Sequence, residues 1–333
     1  MSSDRAQRSL VVSIDRFPIA GRFTIARGSR TEAVVVTAGI VAGPHIGRGE
    51  CVPYSRYGET PHGVVAAIER MAGPIQRGLS RADLQHAMPP GAARNAVDCA
   101  LWELEAKERG ISVATLAGIA NPRPRQTAYT ISLGTEQEMH AAAKVNAFRP
   151  VLKVKLGGAG DPQRVRAVRA AAPHAILIVD ANEAWRVEML EENVAACVEA
   201  GVRLIEQPLS ASDEACLASF HSPVPLCADE SLHTRAELGR LKGLYAAINV
   251  KLDKTGGLTE ALALVHEARA EGFLIMVGCM VATSLSMAPA VIAAQGADFV
   301  DLDGPLLLAA DRESPIVYAD GMVGLPSPAL WGV

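Results

Sequence analysis

The sequence predicts an α/β fold: a closed β/α barrel attached to a smaller α+β unit. Three observations carry that reading. From about residue 127 onward, apolar runs of strand length alternate with helical stretches. Eight such runs stand near 127–133, 151–156, 175–180, 203–206, 225–229, 247–252, 274–278 and 299–303. From Lys155, successive strand ends at 180, 206, 229, 251, 278 and 301 fall 22–27 residues apart, which leaves room for a strand, a helix and tight loops. Eight strands argue for a closed barrel over an open sheet, and no G-x-G-x-x-G follows the first of them.

Before residue 125 the chain has a different character. Strands come first, at 10–14 and 33–37, with Gly43, Gly47 and Gly49 read as turns. Helices follow. The clearer one runs through ARNAVDCALWELEAKERG, where Val97, Leu101 and Leu104 recur at helical spacing and Gly110 is the stop. Strands followed by helices make an α+β unit, and the segment 121–127 reads as a linker. Within the barrel, Asp161 is expected as an N-cap with Pro162 as the first helical residue. Thr234 and Glu237 are expected as a capping box, and Gly201 and Gly272 as helix stops. The chain after 312 has no barrel rhythm and is expected to return to the N-terminal unit. The expected bounds are therefore 1–126, 127–312 and 313–333.

Of the 333 residues 49% are hydrophobic, enough for a large core. A net charge of −4 offers no basic footprint for nucleic acid and no polybasic membrane patch. The six cysteines are scattered without C-x-x-C, as small buried hydrophobes of a reducing compartment would be. No apolar run approaches the ~18 residues of a membrane span, and the N-terminus lacks the apolar core of a signal peptide. A cytoplasmic protein is the expectation. The eight histidines show no ligand spacing, and neither a P-loop nor G-x-S-x-G occurs.

Asp180 (LIVDAN), Glu206 (RLIEQP) and Asp229 (PLCADES) each end an apolar run. In a barrel the C-terminal strand ends meet at one mouth. Three carboxylates there form an oxygen-only set suited to a hard divalent cation such as Mg²⁺. Each acid alone is as readily a strand-end cap; three on consecutive strands favour the metal. Lys153 and Lys155 in LKVKL share one strand face, and Lys251 ends a strand across the barrel. A desolvated lysine, or one beside other cations, acts as a base near neutral pH. Asp301 and Asp303 in FVDLDGP also share a face and suit a substrate ammonium. Arg27, in the loop ARGSR, suits a carboxylate clamped bidentately, although a solvated loop arginine is the commoner case.

These residues together resemble the enolase superfamily, and within it the muconate-lactonizing subgroup. Lys153-Val154-Lys155, Asp180, Glu206, Asp229 and Lys251 stand in that subgroup's order. The resemblance implies a (β/α)7β barrel with a capping domain formed by the N-terminal region and the C-terminal tail. It implies one Mg²⁺ per subunit on Asp180, Glu206 and Asp229. Lys155 and Lys251 would be acid–base lysines, with Lys153 as an added positive charge. The D-x-D of Asp301 and Asp303 is similar to that of dipeptide epimerases, where the pair holds the dipeptide's α-ammonium. IARGSR, GAARNAVDCALWELEA and KLDKTGGLTEAL resemble the L-Ala-D/L-Glu epimerases, which implies that an arginine meets the glutamate side chain. Arg27 is the position carried over, with Arg22 and Arg30 close by. The implied setting is recycling of cell-wall peptides, with a small dipeptide as partner and a homo-oligomer allowed. N-acylamino acid racemases, o-succinylbenzoate synthases and cycloisomerases share the scaffold. A non-catalytic barrel binding metal and peptide is the reading from another class.

Overall fold

The structure, a computed structural model, describes residues 7–333. Much of the N-terminal stretch inspected for a signal peptide thus lies outside the described residues. Strands β1 (Arg8–Ile25), β2 (Gly28–Ala42) and β3 (His45–Cys51) form an antiparallel sheet. The expected strands at 10–14 and 33–37 cover only part of the β1–β2 hairpin, away from its turn, because the half nearer the turn carries polar residues and glycines. Helices α1 (Pro61–Glu69), α2 (Ala72–Gln76), α3 (Arg81–Ala87), α4 (Ala92–Arg109) and α5 (Val113–Leu116) follow. α4 ends at Gly110, whose φ of 64° closes it as expected.

Two of the presumed turn glycines are something else. Gly43 does turn the chain between β2 and β3, but Gly47 and Gly49 lie inside β3. α4 crosses directly over them: a Cβ at Gly47 would sit 2.0 Å from the Ala100 carbonyl oxygen, and one at Gly49 2.1 Å from that of Ala96. They are glycines so that a helix can touch a strand.

After β4 (Arg125–Gln126) the barrel is laid down in order. Its first half is β5 (Tyr129–Ile131), α6 (Glu136–Val145), β6 (Val151–Lys155), α7 (Asp161–Ala171), β7 (Ile176–Asp180), α8 (Leu190–Glu199) and β8 (Val202–Glu206). The second half is β9 (Leu226–Ala228), α9 (Leu238–Leu241), β10 (Ala247–Val250), α10 (Leu252–Thr255), α11 (Leu258–Ala270), β11 (Leu274–Gly278), α12 (Ser284–Ala293) and β12 (Phe299–Asp301). The eight strands β5 to β12 pair in sequence order, all parallel. The ring closes where the Ala128 N–H donates to the Val300 carbonyl at 2.9 Å and the Leu302 N–H to Thr127 Oγ1 at 2.9 Å. Strand β13 (Tyr318–Ala319) pairs with β14 (Met322–Val323), and β14 pairs with β4. Further on, the Trp331 indole donates to the Arg48 carbonyl, and the Gly332 N–H donates to Glu103.

Strand periodicity decides what points inward. Val151, Ile178, Leu204, Cys227, Ala247 and Met276 form a core of their own, one residue per strand. Their neighbours, such as Leu152, Leu177, Ile205 and Ile248, pack in the other core, against the helices. Counting by twos from the inner set reaches Lys153, Lys155, Asp180, Glu206, Asp229, Asn249 and Lys251, and from Phe299, which packs against that set, it reaches Asp301.

Three expected details shift. Asp161 is the first residue of α7, not its N-cap, and its carboxylate instead receives the Gly157 and Gly158 N–H groups and the Trp185 indole. The Thr234–Glu237 capping box forms but starts a 3-10 turn ahead of α9. The last strand stops at Asp301, and Asp303 caps a turn that Gly304 and Pro305 begin.

Candidate active site

The barrel mouth is a lattice of buried charge. Ligand oxygens of Asp180, Glu206 and Asp229 lie within 4.8 Å of one another, all buried. Lys153 Nζ, 1% exposed, stands 2.6 Å from Glu206 Oε2, 2.7 Å from Asp301 Oδ2 and 3.2 Å from Asp180 Oδ2. Lys155 Nζ is 2.6 Å from Asp180 Oδ2, and Lys251 Nζ is 2.6 Å from Asp229 Oδ2. β6 and β10 are four strands apart in a ring of eight, so Lys155 and Lys251 face each other across the triad.

Burial drives lysine pKa values down, and the sequence alone pointed that way. Here the acids prevail: Asp301, Glu206 and Asp180 outweigh desolvation and hold Lys153 well above the ordinary range, and Asp229 and Glu206 do the same for Lys251. The reciprocal effect appears on two acids. Burial would raise Asp180 and Asp229, but Lys155 and Lys153 pull the first below the usual carboxylate range, and Lys251 and Lys254 pull the second. Glu206 goes the other way, to about 8, because burial and the nearby Asp180 exceed what Lys153 returns.

Three carboxylates from consecutive strands fit a hard divalent cation. Glu206 Oε2 strengthens the fit: it is buried without a hydrogen bond among the described residues, and Lys153 meets it at ion-contact distance without hydrogen-bond geometry.

Asp301 and Asp303 line the same cavity as Lys155 and Lys251. Asp303 accepts the Thr130 N–H at 2.6 Å, and burial and Asp301 raise its pKa to about 7. Asp301 gives one oxygen to Lys153; its Oδ1 is buried and without a hydrogen-bond partner among the described residues. Arg27 sits in the β1–β2 turn with its guanidinium committed to the chain itself. It donates to Glu230 Oε1 (2.6 Å), the Asn182 carbonyl (2.8 Å), Glu183 (3.2 Å) and the Tyr54 hydroxyl (3.2 Å). Arg30, on β2 and lining the same cavity, makes no side-chain hydrogen bond or ion pair among the described residues; its guanidinium lies over the Tyr54 ring at 5.2 Å. Arg22 is not among the residues lining that cavity.

Sequence reasoning missed several neighbours. Lys254, 1% exposed, reaches Asp229 Oδ1 at 2.5 Å. Asn249 Nδ2 donates to Glu206 Oε1 at 2.7 Å. Glu230 binds Arg27 from the position after Asp229. The period-two count places Asn249 inward; nothing in the local sequence marks Glu230 or Lys254.

The chain belongs to the enolase superfamily. Residues 7–118 match the mandelate racemase/muconate lactonizing enzyme N-terminal domain, and residues 134–331 match the enolase C-terminal domain-like family. Among its relatives, the L-Ala-D/L-Glu epimerase of Escherichia coli K12 is 46% identical over 96% of this chain and 100% of that protein. An N-acetyl-D-glutamate racemase of a Pseudoalteromonas species is 44% identical over 86% of this chain and 91% of that protein. A solved Agrobacterium tumefaciens enolase family member with homology to dipeptide epimerases, bound to sodium and L-Ala-L-Glu, is 54% identical, with a TM-score of 0.96 over 98% of this chain and 100% of that one. Epimerases and racemases are isomerases, and that is the class of this chain.

Proposed function

We propose that the protein is a metal-dependent dipeptide epimerase that inverts the α-carbon of the C-terminal residue, with L-Ala-D/L-Glu as its substrate pair. One observation carries the reading: two lysines face each other across a carboxylate triad, with a buried, unpartnered Asp301 oxygen in the same cavity. Opposed lysines can remove a proton from one face of a planar intermediate and deliver one to the other.

Asp180, Glu206 and Asp229 would hold one Mg²⁺, in keeping with enolase-superfamily sites that pair a lysine or histidine base with one or two such ions. Bound there, the ion supplies Lewis-acid stabilisation for charge growing on the substrate carboxylate. Lys153 adds a fixed positive charge already in place before the reaction. Lys155 and Lys251 alternate as base and acid. Asp301 Oδ1 accepts the dipeptide's α-ammonium, with Asp303 beside it. A β1–β2 arginine receives the glutamate side chain; Arg27 has its donors engaged, so Arg30 is the better placed of the two.

Exchange of the α-proton in D₂O tests the reading. The Mg²⁺-loaded protein should incorporate deuterium into L-Ala-L-Glu and form L-Ala-D-Glu; absence of both overturns it. The N-acetyl-D-glutamate racemase relative supports a second reading, in which an N-acyl amino acid is racemised. An acylated nitrogen has no charge for Asp301 to meet, so that reading requires N-acetylglutamate to turn over faster than the dipeptide. We place the activity in cytoplasmic recycling of cell-wall peptides. No described helix is long and apolar enough to cross a membrane.

A further inference from the structure

The two opposed lysines are supported differently. Lys155 is inside a ladder: it pairs with Asp180, and the Leu156 N–H donates to the Asp180 carbonyl at 2.9 Å. Lys251 lies one residue past β10, whose last paired residue is Val250. Its backbone is held by the one-turn helix α10, through the Lys254 and Thr255 N–H groups on the Lys251 carbonyl at 3.0 and 2.9 Å.

That turn is gripped by α4 of the N-terminal unit. Asn95 Nδ2 donates to Asp253 Oδ1 at 2.9 Å, and the Val52 N–H donates to the same oxygen at 2.9 Å. Arg94 donates to the Thr255 and Gly256 carbonyls at 2.6 and 3.1 Å. Asp98 accepts the Thr259 N–H at 2.9 Å at the start of α11. Asn95 is 1% exposed and Asp253 5%. Polar groups so buried find partners or cost stability, but here Arg94, Asn95 and Asp98 each place a hydrogen bond on the turn that follows one of the two lysines or on α11 directly after it.

We infer that Asn95 and Asp253 are positioning residues for Lys251 alone, so that the N-terminal unit sets the geometry of one face of the reaction and not the other. The inference rests on the two-lysine reading above. A shift of a reacting group by about 1 Å costs up to about a hundredfold in rate. Loosening this grip therefore acts on one epimer only.

The experiment measures α-proton exchange in D₂O separately for L-Ala-L-Glu and L-Ala-D-Glu, with Lys155→Ala and Lys251→Ala identifying which epimer each lysine serves. In Asn95→Ala and Asp253→Ala, exchange of the Lys251-side epimer should fall about ten- to hundredfold, the other staying within about twofold. Asp253→Asn keeps the acceptor for both N–H donors and should restore the lost exchange. Equal losses on both sides, a loss confined to the Lys155 side, or no loss in the folded variants overturns the inference. If Asp253→Ala does not fold, Asn95→Ala decides, because Val52 still holds Asp253. A crystal structure of Asn95→Ala supplies a readout without turnover. Lys251 should leave hydrogen-bond reach of Asp229 while Lys155 keeps Asp180; both lysines unmoved counts against the inference. Should the wild-type protein exchange neither epimer, the functional reading fails, and this structural comparison still decides the positioning role.

Discussion

Lys153 is the residue whose loss should be felt most sharply, and in two separable ways. Lys153→Met keeps the length of the side chain and removes its charge. Three acids then lose a shared cation that stood 2.6–3.2 Å from each of them. Removing one partner of a buried ion pair costs about 3–5 kcal/mol. With ~2.1 cal/mol/K of unfolding entropy per residue, 333 residues give ~0.7 kcal/mol/K, so the melting temperature should drop by about 4–7 °C in EDTA. Packing contributes little to that figure because methionine fills nearly the same volume.

Magnesium should then repair stability but not activity. Asp180 and Glu206, two of the acids left without Lys153, belong with Asp229 to the metal set, which then attracts a divalent ion more strongly than before; an ion at a hundredfold excess over its Kd adds about 2.7 kcal/mol. Differential scanning calorimetry with and without Mg²⁺ should show the gap between variant and wild type narrowing. Turnover of L-Ala-L-Glu should stay about 10²–10³-fold down, the usual effect of removing one preorganised donor. A variant as stable as wild type in EDTA would falsify the shared-cation argument. Recovery of full activity on adding Mg²⁺ would show that Lys153 has no electrostatic part in the reaction.

Three further outcomes follow from the geometry. Arg30→Gln should lower kcat/KM for L-Ala-L-Glu by about ten- to a hundredfold, the worth of a charged hydrogen bond, and barely touch L-Ala-L-Leu; Arg27→Gln, which unties Glu230, should lower both, and identical profiles for the two variants refute the distinction. Asp253 is pushed by burial from 3.8 to about 7, against hydrogen bonds from Val52 and Asn95 that pull it down. The folded chain therefore holds a proton that the unfolded chain has released, and stability should fall as pH rises from about 4 to 7, by no more than ~4 kcal/mol. Asp253→Asn should flatten that slope in urea titrations at several pH values, and a parallel slope in both proteins rejects it. Gly257→Ala meets a φ of 116° and an Asp98 Cβ only 2.4 Å away, whereas Gly272→Ala meets a φ of 89° and open space. The first should cost about 3 kcal/mol or more and the second about 1–2 kcal/mol, read by chemical denaturation; equal losses refute the contact.

Much of the mouth was legible in the sequence because parallel strands impose a rule of two. An apolar run buried on both faces fixes where a strand ends, and a charged residue at that end has only one place to go. Lys153, Lys155, Asp180, Glu206 and Asp229 follow that rule, and the barrel order follows with them. The same rule has no grip beyond the last paired residue. Lys254 and Glu230 lie in turns whose direction is set by contacts with distant segments, and Asp303 leaves the strand because Gly304 and Pro305 start a turn. Arg27 and Arg30 are three residues apart; which guanidinium is free depends on Glu230 and Glu183, some 150–200 residues away. Gly47 and Gly49 looked like turns because the local sequence cannot announce a helix that passes over them.

The charges at the mouth also explain why single-lysine variants are poor evidence by themselves. Asp180, Glu206, Asp229, Glu230, Asp301 and Asp303 are six buried acids, and Lys153, Lys155, Lys251, Lys254 and Arg27 are the cations paired with or beside them. Uncompensated, that many carboxylates could not share one cavity. The lysines thus help the barrel to fold, and any of them can abolish turnover by upsetting its neighbours. A chemical role has to appear as something that lost folding cannot imitate. Loss of exchange for one epimer while the other persists is such a signature, because misfolding has no handedness with respect to a substrate's α-carbon.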